Sequence, residues 1–346
     1  MKFDFVIGNP PYQEENDSNG RQPPVYHLFM DAAYSVANKV ELITPARFLF
    51  DAGNTPSAWN KKMLHDRYFK ILRYERDATA IFANTSINGG VAISYRDTSH
   101  DFGEIGFFTS FDELNHIMTK VTSCTNSYID SIVSSRGNYR LTEQFFSDFP
   151  NALLLMGTGT GNMVVSNIFD RVPEAFTENP SPNTDCIRFL GRTGSTRVFR
   201  YIDSKYIIKN QYIGTYNVLI SEADGAAGRL GVPIPARIIG KPEIVGINEC
   251  GTDTFISIGT FETRQEAYAL SLYLQTKFAR AMLGIKKVTQ HNSKSVWCFV
   301  PIQNFTPSSD INWSLPIPQI DQQLYRKYGL TDEEIAFIET HVKEMT

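Results

Sequence analysis

The sequence predicts an α/β fold: a partial doubly wound sheet followed by an α+β domain of short strands. Three observations lead there. Strand-like apolar runs alternate with helical patterns over the first hundred residues. Glycine and proline punctuate shorter runs after about Ser134. A proline pair closes the first apolar run, at the kind of place where open α/β sheets bind ligands.

The elements follow in order. Phe3-Asp4-Phe5-Val6-Ile7 reads as a parallel strand buried on both faces, ended by Gly8. Pro10 and Pro11 cannot donate ladder hydrogen bonds and fix their own φ, so "NPPY" leaves the sheet as a stiff extended turn. Tyr26 to Ala37 has helical apolar spacing, and Val40 to Thr44 is a second buried strand that Pro45 closes. The turn-prone "DAGNTPS" precedes a helix near Trp59 to His65. Two strands come next, Phe69 to Glu75 and Gly90 to Arg96, joined through "NTSINGG". Strand–helix–strand–helix–strand is half of a doubly wound sheet.

Composition bounds the function classes. A chain of 346 residues, 42% hydrophobic and 20% charged, can bury sizeable cores and divides into domains. Cys124, Cys186, Cys250 and Cys298 stand far apart, without CxxC or His/Cys ligand spacing, so neither a disulfide framework nor a metal site is indicated. A reducing cytoplasm fits that pattern. No apolar run reaches the ~20 residues that span a bilayer, so no membrane role is expected. The net charge of −4 offers no global attraction to nucleic acid, and any DNA contact must come from local basic patches.

"FDFVIGNPPYQ" resembles the catalytic stretch of adenine-specific, amino-methylating DNA methyltransferases, specifically those of type IIG restriction-modification systems, in which "[ND]PP[YFW]" follows the fourth strand. "VELITPARFLF" is similar to the family's next strand, and "IFANTSINGGVAISYRD" to its target-base-pocket hairpin. The likeness covers about residues 1–100, and "IDQQLYRKYGLTDEEIAFIE" is similar to the tail of many such enzymes. It implies a partial Rossmann-like methyltransferase sheet, S-adenosylmethionine as cofactor, double-stranded DNA as partner, and Asn9, Pro10, Pro11 and Tyr12 as the catalytic turn.

The chemistry accounts for those residue types. An exocyclic adenine amine is a poor nucleophile because its lone pair is delocalised into the ring. The Asn9 side-chain carbonyl can accept one amine hydrogen and the Pro10 backbone carbonyl the other, which favours a more tetrahedral, electron-rich nitrogen. Tyr12 offers a flat face for a flipped-out base, a stacking contact worth about 1–3 kcal/mol. The alternative is an ordinary turn after a strand, with Tyr12 capping a core.

The cofactor half is harder to find. The family binds S-adenosylmethionine through an earlier strand, a glycine-rich turn and an acidic residue on the next strand. The three strands expected ahead of "NPPY" come from another polypeptide, from a permuted order, or have been lost. The permuted candidate is "NALLLMGTGTGNMVVSNIF", read as strand Ala152 to Met156, a turn at Gly157, Gly159 and Gly161, then helix. It lacks the acidic partner, and a recognition-domain turn or phosphate-contacting loop explains the glycines as well.

From about Ser134 the texture resembles a target-recognition domain, with strands in "CIRFLGR", "RVFRYIDSKYI", "YNVLISEADG" and "TFISIGTF". Arg192, Arg197 and Arg200, beside Arg188, Phe199 and Tyr201, suit phosphate contacts and stacking; the alternative is a solvated strand face. "TRQEAYALSLYLQTKFARAMLGIKKVTQ" reads as one helix, after which Lys286, Lys287, Gln290, Asn292 and Lys294 form a second DNA-compatible group. His291 has no visible nucleophile or metal partner and is expected to make an ordinary polar contact. Thr331 to Glu334 has the pattern of a capped helix start.

The expected domains are a catalytic half over 1–120, a recognition domain over 121–305 and a helical tail over 306–346. Two functions stay open: a methyltransferase polypeptide needing a second polypeptide for its cofactor half, or a non-catalytic DNA-recognition or inhibitor protein on the same scaffold. A nuclease is poorly supported, since no strand-borne Asp…Glu-x-Lys pair is placed for metal-assisted hydrolysis.

Overall fold

Alternating apolar runs place four strands in the first part of the chain: β1 (Phe3–Gly8), β2 (Ala37–Pro45), β3 (Phe69–Glu75) and β4 (Val91–Asp97). The computed structural model describes all residues except 1–2, 14–22, 51–53, 83–86, 88, 157–158, 225–229, 232, 288–289 and 346. It divides into two units, Met1–Asn115 and His116–Thr346.

In the first unit the sheet order is β1-β2-β4-β3. β1 runs parallel to β2, and β4 runs antiparallel to both β2 and β3. The first three strands therefore share one direction. Helices α1 (Tyr26–Val36) and α2 (Ser57–Leu64) cover one sheet face. There Tyr26, Met30, Trp59 and Met63 pack with Val40, Leu42, Phe69 and Ala92. β2 shows the period-two logic: Val40, Leu42 and Thr44 are buried, while Lys39, Glu41 and Ile43 on the other face are not.

β1 departs from the sequence expectation of burial on both faces. Phe3, Phe5 and Ile7 are 50%, 44% and 71% exposed, and only Val6 packs against the core. The physical reason is position: β1 stands at the sheet edge, and no described helix covers its Phe3–Phe5–Ile7 side.

The second unit takes up the chain within α3 (Asp112–Cys124). Short helices α4 (Glu143–Asp148), α5 (Ala152–Met156) and α6 (Ile168–Arg171) precede two three-stranded sheets. Strands β5 (Cys186–Thr193), β6 (Thr196–Asp203), β7 (Tyr216–Ser221), β8 (Glu243–Val245), β9 (Glu249–Gly251) and β10 (Phe255–Phe261) form the orders β6-β5-β9 and β10-β7-β8. A core of Tyr139, Phe145, Ile168, Ile187, Phe189 and Ile202 lies behind β5 and β6.

The long helix expected after Thr263 is two helices, α7 (Arg264–Gln275) and α8 (Lys277–Lys286). Thr276 interrupts them. Its ψ of 149° is extended, and its hydroxyl accepts from the Ala279 N–H, capping α8. Capping boxes at Thr263–Glu266 and Thr331–Glu334 start α7 and the final helix α10 (Asp332–His341), after α9 (Ile317–Lys327). α9 and α10 pack on α8 within the same unit as β5–β10. Among the described residues, no helix is long and apolar enough to cross a membrane.

Candidate functional site

The shared direction of β1, β2 and β3 brings their carboxyl ends to one edge of the sheet, because Gly8 pairs with Leu42 and both Pro45 and Glu75 pair with Val91. Three sequence-predicted segments meet along that edge: the turn Asn9–Tyr12 after β1, the Pro45–Arg47 stretch after β2, and Gly89–Gly90 before β4. The Ala46 N–H donates to the Gly90 carbonyl at 3.0 Å, joining the last two. Gly90 has φ +76°, and a Cβ there would lie 2.3 Å from the Glu75 carbonyl oxygen, so only glycine fits. Gly89, with φ +89°, lies against the Arg47 side chain.

Asn9 and Pro11 are exposed, while Pro10 and Tyr12 are half-buried. The turn is tied to the start of α1, where the Val25 N–H donates to the Tyr12 carbonyl at 3.1 Å and Gln13 bridges Pro24. The Tyr12 ring packs against the core of the first unit, as the core-capping alternative expects. Its hydroxyl is nonetheless buried without a hydrogen-bond partner among the described residues. Burial raises the phenol pKa, and the neighbouring Asn9 side chain opposes that rise without closing a bond of normal geometry. Asn9 is exposed on a turn held by the β1 ladder before it and by the Val25–Tyr12 backbone bond after it. The turn can offer two acceptors to an amine.

Behind the turn stand residues that sequence reasoning did not single out. Tyr26 packs edge-on to Trp59 and tilted on Phe48, and burial pushes its phenol up to about 12 against the pull of Thr55 and Arg47. The Trp59 Nε1–H donates to Asp31 at 3.0 Å, holding α2 to α1. His27 Nδ1 is a second buried polar atom without a partner among the described residues. Arg47, in "ITPAR", lies two residues past the end of β2.

The glycine candidate for cofactor binding fails as a strand-and-turn motif. Ala152–Met156 is a helix, α5, with Leu153, Leu154 and Leu155 exposed, not a buried strand. Gly157 lies outside the described residues. Gly159 and Gly161 have φ of +92° and +54°, and a Cβ built on either meets nothing within 4 Å. They are turn glycines with no cradle to fill. These residues do not fit S-adenosylmethionine.

The proposed DNA contacts separate into three groups. Arg192 and Arg197 sit directly opposite one another on β5 and β6, both exposed, and line one pocket. Arg200 points the other way, because it is an odd number of residues from Arg197 along β6; it pairs with Glu178 at 2.9 Å. Arg188, on the Arg192 side, stacks over Phe199 at 3.8 Å and bonds Glu249 at 2.6 Å.

Lys287 and Asn292 correct the second basic group. They are 1% and 0% exposed. The Lys287 ammonium bonds Asp224 and the Ile238 carbonyl, and the Asn292 Nδ2 donates to Asp224 at 2.5 Å and to the Ser221 carbonyl at 2.8 Å. Desolvation lowers the lysine pKa, opposed by the Asp224 carboxylate. This is a buried structural network. Lys286 is half-buried with its ammonium near the Cys298 sulfur at 3.6 Å, and only Gln290 and Lys294 stay exposed. His291 makes a polar contact, to Glu222 at 3.0 Å.

Comparison with known proteins places the first unit. Residues 1–82 match the family model described as Eco57I restriction-modification methylase. A protein of Mycoplasma pneumoniae (strain ATCC 29342 / M129 / Subtype 1), described as an uncharacterized adenine-specific methylase, is 30% identical over 95 residues, 26% of this chain and 22% of that one. The chain thus spans about a fifth of the length of the curated relative it matches. Among solved structures, the type IIG restriction endonuclease BpuSI aligns over 93% of this chain and 48% of its own, at 11% identity and a TM-score of 0.32.

Proposed function

We propose that this chain is the catalytic-turn and DNA-reading part of an adenine-specific DNA methyltransferase of a restriction-modification system. The observation that carries the reading is the convergence of Asn9–Tyr12, Pro45–Arg47 and Gly89–Gly90 on the carboxyl edge of one sheet. The family match over residues 1–82 supports it, since it includes the turn.

In this reading the Asn9 Oδ1 and the Pro10 carbonyl accept the two hydrogens of a flipped adenine amine. That would draw the nitrogen lone pair out of conjugation and make the amine a better nucleophile. Tyr12 supports the base by stacking, and its core contacts fix the ring's tilt. The methyl group would come from S-adenosylmethionine, whose sulfonium makes that methyl electrophilic. A second polypeptide segment would hold it, docking where β1 leaves its outer edge and its Phe3–Phe5–Ile7 side uncovered.

The non-catalytic alternative shares the DNA-reading unit but makes the Asn9 amide dispensable. Co-expression with the flanking reading frames, followed by mass-spectrometric measurement of N6-methyladenine in host DNA, separates the two. Methylation that disappears with Asn9→Ala, at unchanged protein level, supports the catalytic reading. Methylation that survives Asn9→Ala, or that never appears with the wild-type chain, overturns it.

A further inference from the structure

The second unit holds an open pocket of ≈ 380 Å³ lined by three arginines, Arg192 and Arg197 from the β5–β6 hairpin and Arg136 from an earlier stretch of chain. We propose that this pocket is a phosphodiester clamp, gripping a backbone phosphate of duplex DNA while the tip of the β5–β6 hairpin lies in the adjoining groove. It deepens the DNA-reading half of the proposed function and rests on it.

The charges argue first. Arg192 and Arg197 are direct cross-strand partners on the same sheet face, an arrangement of like charges that costs a sheet stability. An anion between them reverses the sign. Arg197 is already oriented, because its Nη2 donates to the Ser221 hydroxyl at 3.1 Å and its guanidinium lies 5.0 Å from the Phe255 ring centroid. Asp253 orients Arg136 at 3.1 Å and also accepts from the Ser166 N–H at 2.8 Å, fixing that wall. The Arg192 guanidinium has no partner among the described residues. Two planar forks and one free fork suit a tetrahedral oxyanion, which guanidinium binds through paired N–H donors.

One acidic side chain lines the same pocket. Glu222 is largely buried, and both of its oxygens face His291 Nδ1, at 3.0 and 3.2 Å. With Arg136 balanced by Asp253, the two cross-strand arginines outweigh Glu222, and the pocket is net cationic.

Shape narrows the ligand. The volume exceeds that of one phosphate and leaves room for the attached sugar, and the Ser166 and Ser195 hydroxyls on its walls are further donors for phosphate oxygens. The hairpin tip Arg192–Arg197 is exposed at every residue. A two-stranded ribbon is among the elements a major groove of about 12 Å admits. Gly191 keeps the floor close: a Cβ there would meet the Phe169 ring at 2.6 Å and Thr252 at 2.9 Å.

The test uses the full chain and a labelled 30-base-pair duplex, with affinity measured by fluorescence anisotropy over a salt series. Arg192→Gln/Arg197→Gln should weaken binding at least tenfold and lower the log–log salt slope by about 0.9, the value for one lost phosphate contact. Arg192→Lys/Arg197→Lys keeps the charge and loses the forks, so it should retain most of the slope with reduced affinity. Lys241→Gln, at an exposed site away from the pocket, should change neither, and circular dichroism checks each fold. Adenosine monophosphate and inorganic phosphate are the competing arms. An unchanged slope in the double glutamine variant, absence of wild-type binding to the duplex, or tight nucleotide binding that the duplex does not compete away would each overturn the clamp. The Asn9 experiment is independent of these outcomes, so failure of the clamp and failure of the methylation reading remain distinguishable.

Discussion

Tyr12 shows how a single residue can serve packing and chemistry together. Its ring packs against the core, while its buried hydroxyl has no partner among the described residues, which costs about 1–3 kcal/mol of desolvation. Tyr12→Phe should therefore leave the urea midpoint unchanged or raised and keep methylation within a few-fold of wild type. Tyr12→Ala should lower both, losing stacking worth about 1–3 kcal/mol in the transfer step. A phenylalanine variant as inactive as the alanine variant would show that the hydroxyl itself contacts the base. Lys287 carries the opposite lesson. In sequence it stands in a basic, DNA-compatible run, yet its ammonium is enclosed with Asp224, 63 residues away. Lys287→Met should leave Asp224 uncompensated and destabilise by about 3–5 kcal/mol, read as a lower urea midpoint, with little change in the DNA salt slope of the protein that remains folded. Local spacing cannot reveal such a partner, and so Asn292 was misread with it.

At the level of elements, the strands were legible where alternation was strong. β2, β3 and β4 coincide closely with the runs "VELIT", "FKILRYE" and "GVAISYR", and the turn after β1 falls where the proline pair demands it. Short apolar runs were not: "ALLLM" suits a buried strand or a helix equally by pattern, and its leucines and methionine favour the helix that α5 adopts. The break at Thr276 was hidden because apolar spacing continues across it. That junction has its own consequence. Asp321 on α9 accepts the Lys277 and Phe278 N–H groups at 3.0 and 2.9 Å, at the start of α8. Burial pushes its carboxyl from an ordinary 3.8 to about 7, partly opposed by those two bonds. Between these values the folded chain holds more protons than the unfolded one, so stability falls as pH rises from about 4 to about 7 and then levels. Asp321→Asn should flatten that part of the profile relative to wild type, measured as urea midpoints across the pH range. Parallel profiles for the two proteins would mean that the carboxyl ionises at its ordinary pH.

For the molecule as a whole, the first unit has a sheet with helices on one side and an edge strand whose outward residues are large and apolar. Phe3, Phe5 and Ile7 together present the kind of surface that a sheet covers when another layer or strand is added. In sequence they looked like a strand buried on both faces; the structure corrects that, since β1 is an edge strand and no described helix covers their side. The distinction can be measured at Phe3, which lies about 20 Å along the strand from Asn9 at roughly 3.3 Å per residue, too far to touch the reacting amine. Phe3→Lys places a charge on an exposed side chain, so the isolated chain should keep its stability within about 0.5 kcal/mol and its DNA affinity unchanged. In the co-expressed system the same charge would face an apolar partner without compensation, and N6-methyladenine should fall at least tenfold. A large loss of stability in the isolated chain would show that Phe3 is packed within this polypeptide. Full methylation with Phe3→Lys would show that the cofactor-binding segment docks elsewhere, leaving the Asn9 turn to be completed from another side of the sheet.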